Sequence, residues 1–183
     1  MDPLITNVVL RRTFFARPAL QVARALLGQV LVHGPHRGRI VEVEAYLGPH
    51  DLACHSAKGR TSRTEVMFGP PGHAYVYFIY GMHHCFNVTT GRGSAVLVRA
   101  LEPLTPMEGR TDGPGRLTKA FGLTRAQNAL GLSGPELWLV RGATPQPAQV
   151  VRGPRIGVAY AGVWAAKPYR FWLADNPFVS RGR

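Results

Sequence analysis

The chain has 183 residues, 22 Lys or Arg against 10 Asp or Glu, and a formal charge of +12. That length fits a single domain spanning 1–183, and the charge favours a polyanionic partner, nucleic acid or an anionic membrane surface, unless the chain is merely basic. Composition excludes a collagen-like or low-complexity chain, because the 21 glycines and 15 prolines are scattered as turn signals without a period.

The first predicted element is a helix marked by Pro18 near its first turn and Gly28 past its end, with Ala19, Val22, Ala23 and Leu26 on one face. Short β-like runs follow at Gln29–His33, Arg39–Leu47, Ala74–Tyr80, His84–Thr89 and Val96–Leu101, most of them separated by Gly or Pro, which predicts a largely antiparallel sheet. The uncharged stretch Val66–Gly91 does not read as a membrane span. Pro70, Pro71 and its His-rich end leave about nine consecutive apolar positions, against the roughly 20 that a spanning helix needs. Within it, "YVYFIYGMHHCFNV" reads as a hairpin turning around Gly81 and Met82, with Tyr80, Met82 and His83 at an exposed tip. "DGPGRLTKAFGL" reads as a Gly-rich turn entering a helix whose free N–H groups can hold an anion. Its spacing matches neither a P-loop nor a dinucleotide fingerprint, so ATP and NAD lack support. Further strands are expected at Leu137–Val140, Ile156–Val158 and Arg170–Leu173. Two cysteines and a "MDPL" start unlike a signal peptide predict an intracellular, reduced setting.

Two of the scarce acids, Glu42 and Glu44, sit inside the apolar run "RIVEVEAYL". On a strand, alternation places Glu42, Glu44 and Tyr46 on one face and Val41, Val43 and Ala45 on the other. Two readings fit. Either the acids line a pocket, as a general base or an acid pair, or they pair with Arg37 or Arg39 on a solvated face. Alternation also puts Tyr75 and Tyr77 on one face and Tyr80 on the other. Such rings pack a core, stack on an extruded base, or wedge between bases from a hairpin tip. Cys54-His55 and His83-His84-Cys85 offer soft ligands without zinc-finger or deaminase spacing, so no metal is expected, and no G-x-S-x-G elbow supports a serine nucleophile.

Taken together, "VEVEAYLGPHDLACHS", "MFGPPGHAYVYFIYGMHHCFN", "VLVRALEP", "GPGRLTKAFGL" and "RIGVAYAGVWAAKPYRFW" closely resemble the alkyladenine (3-methyladenine) DNA glycosylase family of the mammalian MPG type, in family order and from about Arg12 to Ser180. The resemblance implies an α+β (mixed α/β) fold, one compact domain with a curved, largely antiparallel sheet flanked by helices and a protruding hairpin. It implies an enzyme that binds double-stranded DNA, flips a damaged purine out and hydrolyses its N-glycosidic bond. The leading expectation is thus an enzyme without cofactor or metal; contact with DNA through one face requires only a monomer, no membrane partner is expected, and in a bacterium the setting is the cytoplasm.

Residue roles come from the same resemblance. Glu44 matches the general base that deprotonates water, and Arg99 the arginine beside that water. Tyr46, His55 and Tyr77 match residues enclosing the flipped base, and Asn87 the residue that disfavours the amino group of guanine. Tyr80 matches the wedge that fills the gap in the stack. Arg116 and Lys119 fall in the block that meets DNA phosphates, and Glu42 has no catalytic counterpart and reads as structural. No lysine lies in the matching pocket blocks, which implies a monofunctional enzyme without a Schiff base. The chain departs from its relatives at His83, His84 and Tyr160, around the wedge and the pocket wall. The rival expectation is a non-catalytic module that recognises distorted nucleic acid, which would have no need of Glu44 and Arg99.

Overall fold

The computed structural model describes residues 7–180, so the "MDPL" start lies outside the described residues. Helices α1 (Arg12–Phe15) and α2 (Ala19–Leu26) come first. α2 starts directly after Pro18 and buries the expected stripe of Ala19, Val22, Ala23 and Leu26. Fully burying Leu26 stabilises by roughly 1.5–3 kcal/mol. Beyond the helix, Gly28 has φ +83°, and a Cβ there would lie 1.9 Å from the Ala143 carbonyl oxygen, so both conformation and space call for glycine.

The strands are β1 (Val30–His33), β2 (His36–Tyr46), β3 (Ala74–Ile79), β4 (His83–Gly91), β5 (Ser94–Pro103), β6 (Leu137–Val140), β7 (Val150–Gly153) and β8 (Arg170–Leu173). They form one eight-stranded sheet with the main order β3-β4-β5-β2-β1-β6. Every pairing is antiparallel. With the short helices α3 (Glu65–Phe68) and α4 (Pro114–Ala120), this is the expected α+β architecture with a curved sheet. β2 is its hub. One edge pairs with β5, while the other divides between β1, over residues 36–39, and β8, over residues 42–44.

One face of the sheet makes the main core with α2 and α4, through Ile40, Val43, Phe86, Val98, Leu117 and Phe121. The β2–β5 register runs Ile40↔Leu101, Glu42↔Ala100, Val43↔Val98, so it slips at Val41 and again at Arg99. Such bulges re-aim side chains. Ile40 therefore joins Val43 and Ala45 in the main core, where simple alternation expected Val41, which is buried outside that cluster.

Other boundaries also differ from the sequence reading. Ile156–Val158 is not a strand but a bend leading into a 3-10 turn over Ala159–Trp164, and the strand of this region is β7. Gly157 has φ +76°, and the Ile156 N–H bonds a side chain instead of a ladder partner.

Candidate active site

The pairings carry one row of residues across the sheet: Tyr75↔Asn87, Asn87↔Leu97, Leu97↔Glu44 and Glu44↔Arg170. Over this row, on the side away from α2, lies a cavity of about 310 Å³ lined by Tyr46, His55, Tyr77, Tyr80, Asn87 and Arg99. β2 supplies Tyr46, a 3-10 turn supplies His55, and β3, β4 and β5 supply Tyr77, Asn87 and Arg99. Tyr80 stands at the hairpin tip and is 81% exposed. Alternation assigned it to the face opposite Tyr77, but its left-handed backbone, φ +55°, returns it to the cavity.

Arg116 and Lys119 are not part of this cavity. They are exposed on α4 and line a neighbouring groove with His36, Glu108 and Arg110. Arg116 Nη1 is held 3.2 Å from Asp112, which also binds Arg110. α4 reaches the cavity itself through Pro114 and Gly115. A Cβ on Gly115 would lie 3.0 Å from the His83 ring, so glycine lets the helix and the hairpin meet.

Both acids of β2 are fully buried, which overturns a solvated pairing with Arg37 or Arg39; Arg39 instead pairs with Glu102 at 3.1 Å. Glu42 accepts from Arg99 Nε (3.0 Å), Arg170 Nη1 (3.2 Å), Ser180 N (2.7 Å) and Ser180 Oγ (2.9 Å). Three of these four bonds fall on Oε1 and one on Oε2, and with three residues holding it from two sides Glu42 serves as an anchor. Glu44 lies behind the cavity wall. Its Oε1 accepts from the Ile156 N–H (2.8 Å) and faces Arg99 Nη1 (3.3 Å), and its Oε2 accepts from the Tyr46 hydroxyl (2.8 Å).

Burial raises the Glu44 pKa above the ordinary carboxylate value of 4.5, with Arg99, the Ile156 N–H and the Tyr46 hydroxyl acting against it. Burial alone would lower the Arg99 pKa, but Glu44 and Glu42 outweigh it and keep the guanidinium firmly charged. His55 is lowered to about 4, first by burial and then by Arg63 and Lys58, so it is neutral near pH 7. Its Nδ1 shares a hydrogen bond with the Tyr75 hydroxyl at 2.9 Å, and its ring meets Tyr77 edge-on at 4.6 Å. Asn87 Nδ2 donates to the Tyr75 carbonyl at 3.0 Å, which fixes the amide on the cavity wall. Neutral aromatic walls and one imidazole suit a flat heterocycle, and a buried carboxylate beside an arginine can hold or take a proton.

Several participants escaped the sequence reading: Ser180 and Arg170 on Glu42, the Ile156 N–H on Glu44, and the Asp51–Arg155 pair below Tyr46. Their partners lie 104 to 138 residues away in sequence, beyond any local pattern. The "RIGV" segment inside the family-like C-terminal block was the available pointer. Among the described residues, no cluster of His, Cys, Asp or Glu is placed to hold a metal ion, and no helix is long and apolar enough to cross a membrane.

Residues 13–177 match the methylpurine-DNA glycosylase family. A Myxococcus xanthus (strain DK1622) protein named "Putative 3-methyladenine DNA glycosylase" is 64% identical, with 94% of each chain covered. Proteins of the same name from Legionella pneumophila (strain Corby) and Anaeromyxobacter dehalogenans (strain 2CP-1 / ATCC BAA-258) are 50% and 52% identical, covering 94% of this chain and 98% and 85% of their own. The matched span holds every cavity residue named above, and the chain belongs to the methylpurine-DNA glycosylase family, a family of enzymes that hydrolyse N-glycosyl bonds.

Proposed function

We propose that the protein is a monofunctional glycosylase that takes a damaged purine, such as 3-methyladenine, 7-methylguanine, hypoxanthine or ethenoadenine, out of duplex DNA into the cavity. The carrying observation is the buried Glu44 carboxylate beside Arg99, with only one bond on Oε2. A carboxylate oxygen accepts about two hydrogen bonds, so Oε2 keeps a lone pair for the proton of an attacking water. As the water oxygen bonds to the sugar C1′, the C1′–N bond breaks, the purine leaves with the electron pair and Glu44 takes the proton. 3-Methyladenine and 7-methylguanine carry positive charge in DNA and depart neutral, so for them the leaving side asks little of the protein, whereas hypoxanthine and ethenoadenine take up a proton from solvent as they leave.

Stacking supports the choice of substrate. Tyr46 and Tyr77 offer electron-rich faces to a cationic base, worth about 0.5–2 kcal/mol that an intact purine forgoes. On this reading the Asn87 side chain, held on the wall by its bond to the Tyr75 carbonyl, disfavours the amino group of guanine, and the exposed Tyr80 ring fills the gap left in the base stack. Among the described residues no lysine lines the cavity, in keeping with direct hydrolysis without a Schiff base. Duplex DNA is the partner, met by a monomer inside the cell, with Arg116 and Lys119 on its phosphates.

Single-turnover release of bases from methylated duplex DNA tests this reading. Wild type should release 3-methyladenine, and Glu44→Gln should lose about 10²–10⁴-fold in rate while still binding lesion DNA. Equal release by both would remove Glu44 from the mechanism, and tight binding without release by either would make the protein a damage-recognition module.

A further inference from the structure

A buried ion pair lies behind the cavity, outside the chemistry described above. The side chains of Asp51 and Arg155 have no exposed surface. Arg155 Nη1 donates to Asp51 Oδ2 (2.6 Å) and the Ala45 carbonyl (2.9 Å), and Nη2 to Asp51 Oδ1 (2.9 Å) and the Trp164 carbonyl (3.3 Å). Asp51 also accepts the N–H groups of Leu47 and Ala53, at 3.1 Å each. One carboxylate thus organises the turn that leads from Tyr46 to His55.

The guanidinium has two further contacts. Its carbon lies 4.8 Å from the Tyr46 ring centroid and 5.3 Å from that of Tyr169. Tyr46 lines the cavity and Arg155 does not, so the cation braces the ring from behind. The peptide following Arg155 carries the N–H of Ile156, 2.8 Å from Glu44 Oε1. This segment lies between β7 and β8 and belongs to no strand, so side-chain bonds have to hold it. A role in stability alone explains the pair poorly. Burying two ions costs desolvation, and apolar residues of similar volume often serve as well. Arg155 Nε is moreover buried without a hydrogen-bond partner.

We propose that Asp51 and Arg155 form a positioning unit of the active site, which aims the Ile156 N–H at Glu44 and holds the Tyr46 ring and hydroxyl in place, so that Glu44 is kept ready as the base. The catalytic consequence rests on the glycosylase reading; the hold on Glu44 does not. Charged and titratable groups face Glu44 from several elements: Glu42 and Tyr46 from β2, Tyr77 from β3, Cys85 from β4, Arg99 from β5 and Arg155 itself, with Arg170 of β8 bound to Glu42. Beside the direct charge of Arg155, which Arg155→Lys retains, the pair acts on Glu44 through two hydrogen bonds, those of Ile156 and Tyr46, and both favour the ionised carboxylate.

Two variants separate this role from packing. Arg155→Lys keeps the charge and loses the fork, while Asp51→Asn combined with Arg155→Gln removes both charges, leaving no lone ion buried. Glu44 is followed by NMR of ¹³C-labelled glutamate carboxyls, its signal assigned with Glu44→Gln, alongside the pH profile of single-turnover base release. In both variants Glu44 should titrate at higher pH than in wild type, with the acid limb of the rate moving the same way. On that limb the rate should fall roughly tenfold, as for one lost hydrogen bond to a charged group. An unmoved Glu44 titration in a folded variant overturns the proposal, even if rates drop uniformly. Arg155→Lys alone decides if the double variant does not fold. Should wild type release no base, the titration still tests the pair, and only the glycosylase reading falls.

Discussion

Glu44 is held by three donors and buried from water, and those two influences oppose each other. Burial wins, so the carboxyl becomes ionised at a higher pH than an ordinary one, and on the proposed mechanism base release should show an acid limb displaced above 4.5. Tyr46→Phe keeps the stacking ring and deletes one of the donors; its acid limb should lie higher still, which a single-turnover pH profile measures. The same shift has a thermodynamic sign. Because the folded state binds this proton more tightly than the unfolded one, the associated stability is complete below pH 4.5 and is lost as pH rises through the folded value. Glu44→Gln does not titrate, so its melting temperature relative to wild type should climb across that interval; a flat difference would mean that burial does not govern this group. His55 has the opposite sign. Its folded value of about 4 gives stability that is complete above the free value of 6.5 and lost as pH falls toward 4. Alternation along β2 was enough to place Glu44 beside Tyr46, because both belong to one short segment. The role of Glu42 had no such local trace, since Ser180 approaches it from 138 residues away.

Elements differed in how far the sequence disclosed them. α2 and the hairpin of β3 and β4 were legible, since periodicity, Pro18, Gly28 and Gly81 mark their ends. α1 and α3 have four residues each, about one turn, too short to show a period. The β2–β5 bulges left no sign in composition, and they decide that Ile40 and not Val41 meets the core. The hairpin tip illustrates a similar limit: one left-handed residue, Tyr80, undoes the alternation that predicts every other side chain on its strand. Since that ring is mostly in solvent, Tyr80→Ala should leave the melting temperature nearly unchanged. The single-turnover rate on lesion-containing duplex should nevertheless fall about 10- to 100-fold, by analogy with the ~1–3 kcal/mol of one base–aromatic stack. An unaltered rate would remove the wedge role.

For the whole molecule, the charge of +12 matters only where cations meet phosphate. α4 meets the cavity at Pro114 and Gly115 and turns Arg116 and Lys119 to a separate groove, and Lys119→Ala should flatten the dependence of log Kd on log salt by about 0.9, the value for one phosphate contact. A slope equal to that of wild type would place DNA elsewhere on the surface. Composition announced a polyanion but did not say which face receives it, because surface position depends on the fold and not on the count. The transverse row beneath the cavity draws on β3, β4, β5, β2 and β8, and Ser180 then closes on Glu42. During synthesis, β2 emerges with its two acids long before β8 and Ser180 exist to restrain them. A chain cut short before residue 170 would carry the aromatic cradle and the Asp51–Arg155 pair, but not Arg170 and Ser180, three of whose donors close on Glu42. The carboxylate pair of β2 is therefore completed only by residues that follow Glu42 by 128 and 138 positions, so its closure belongs to the fold as a whole and not to its own strand.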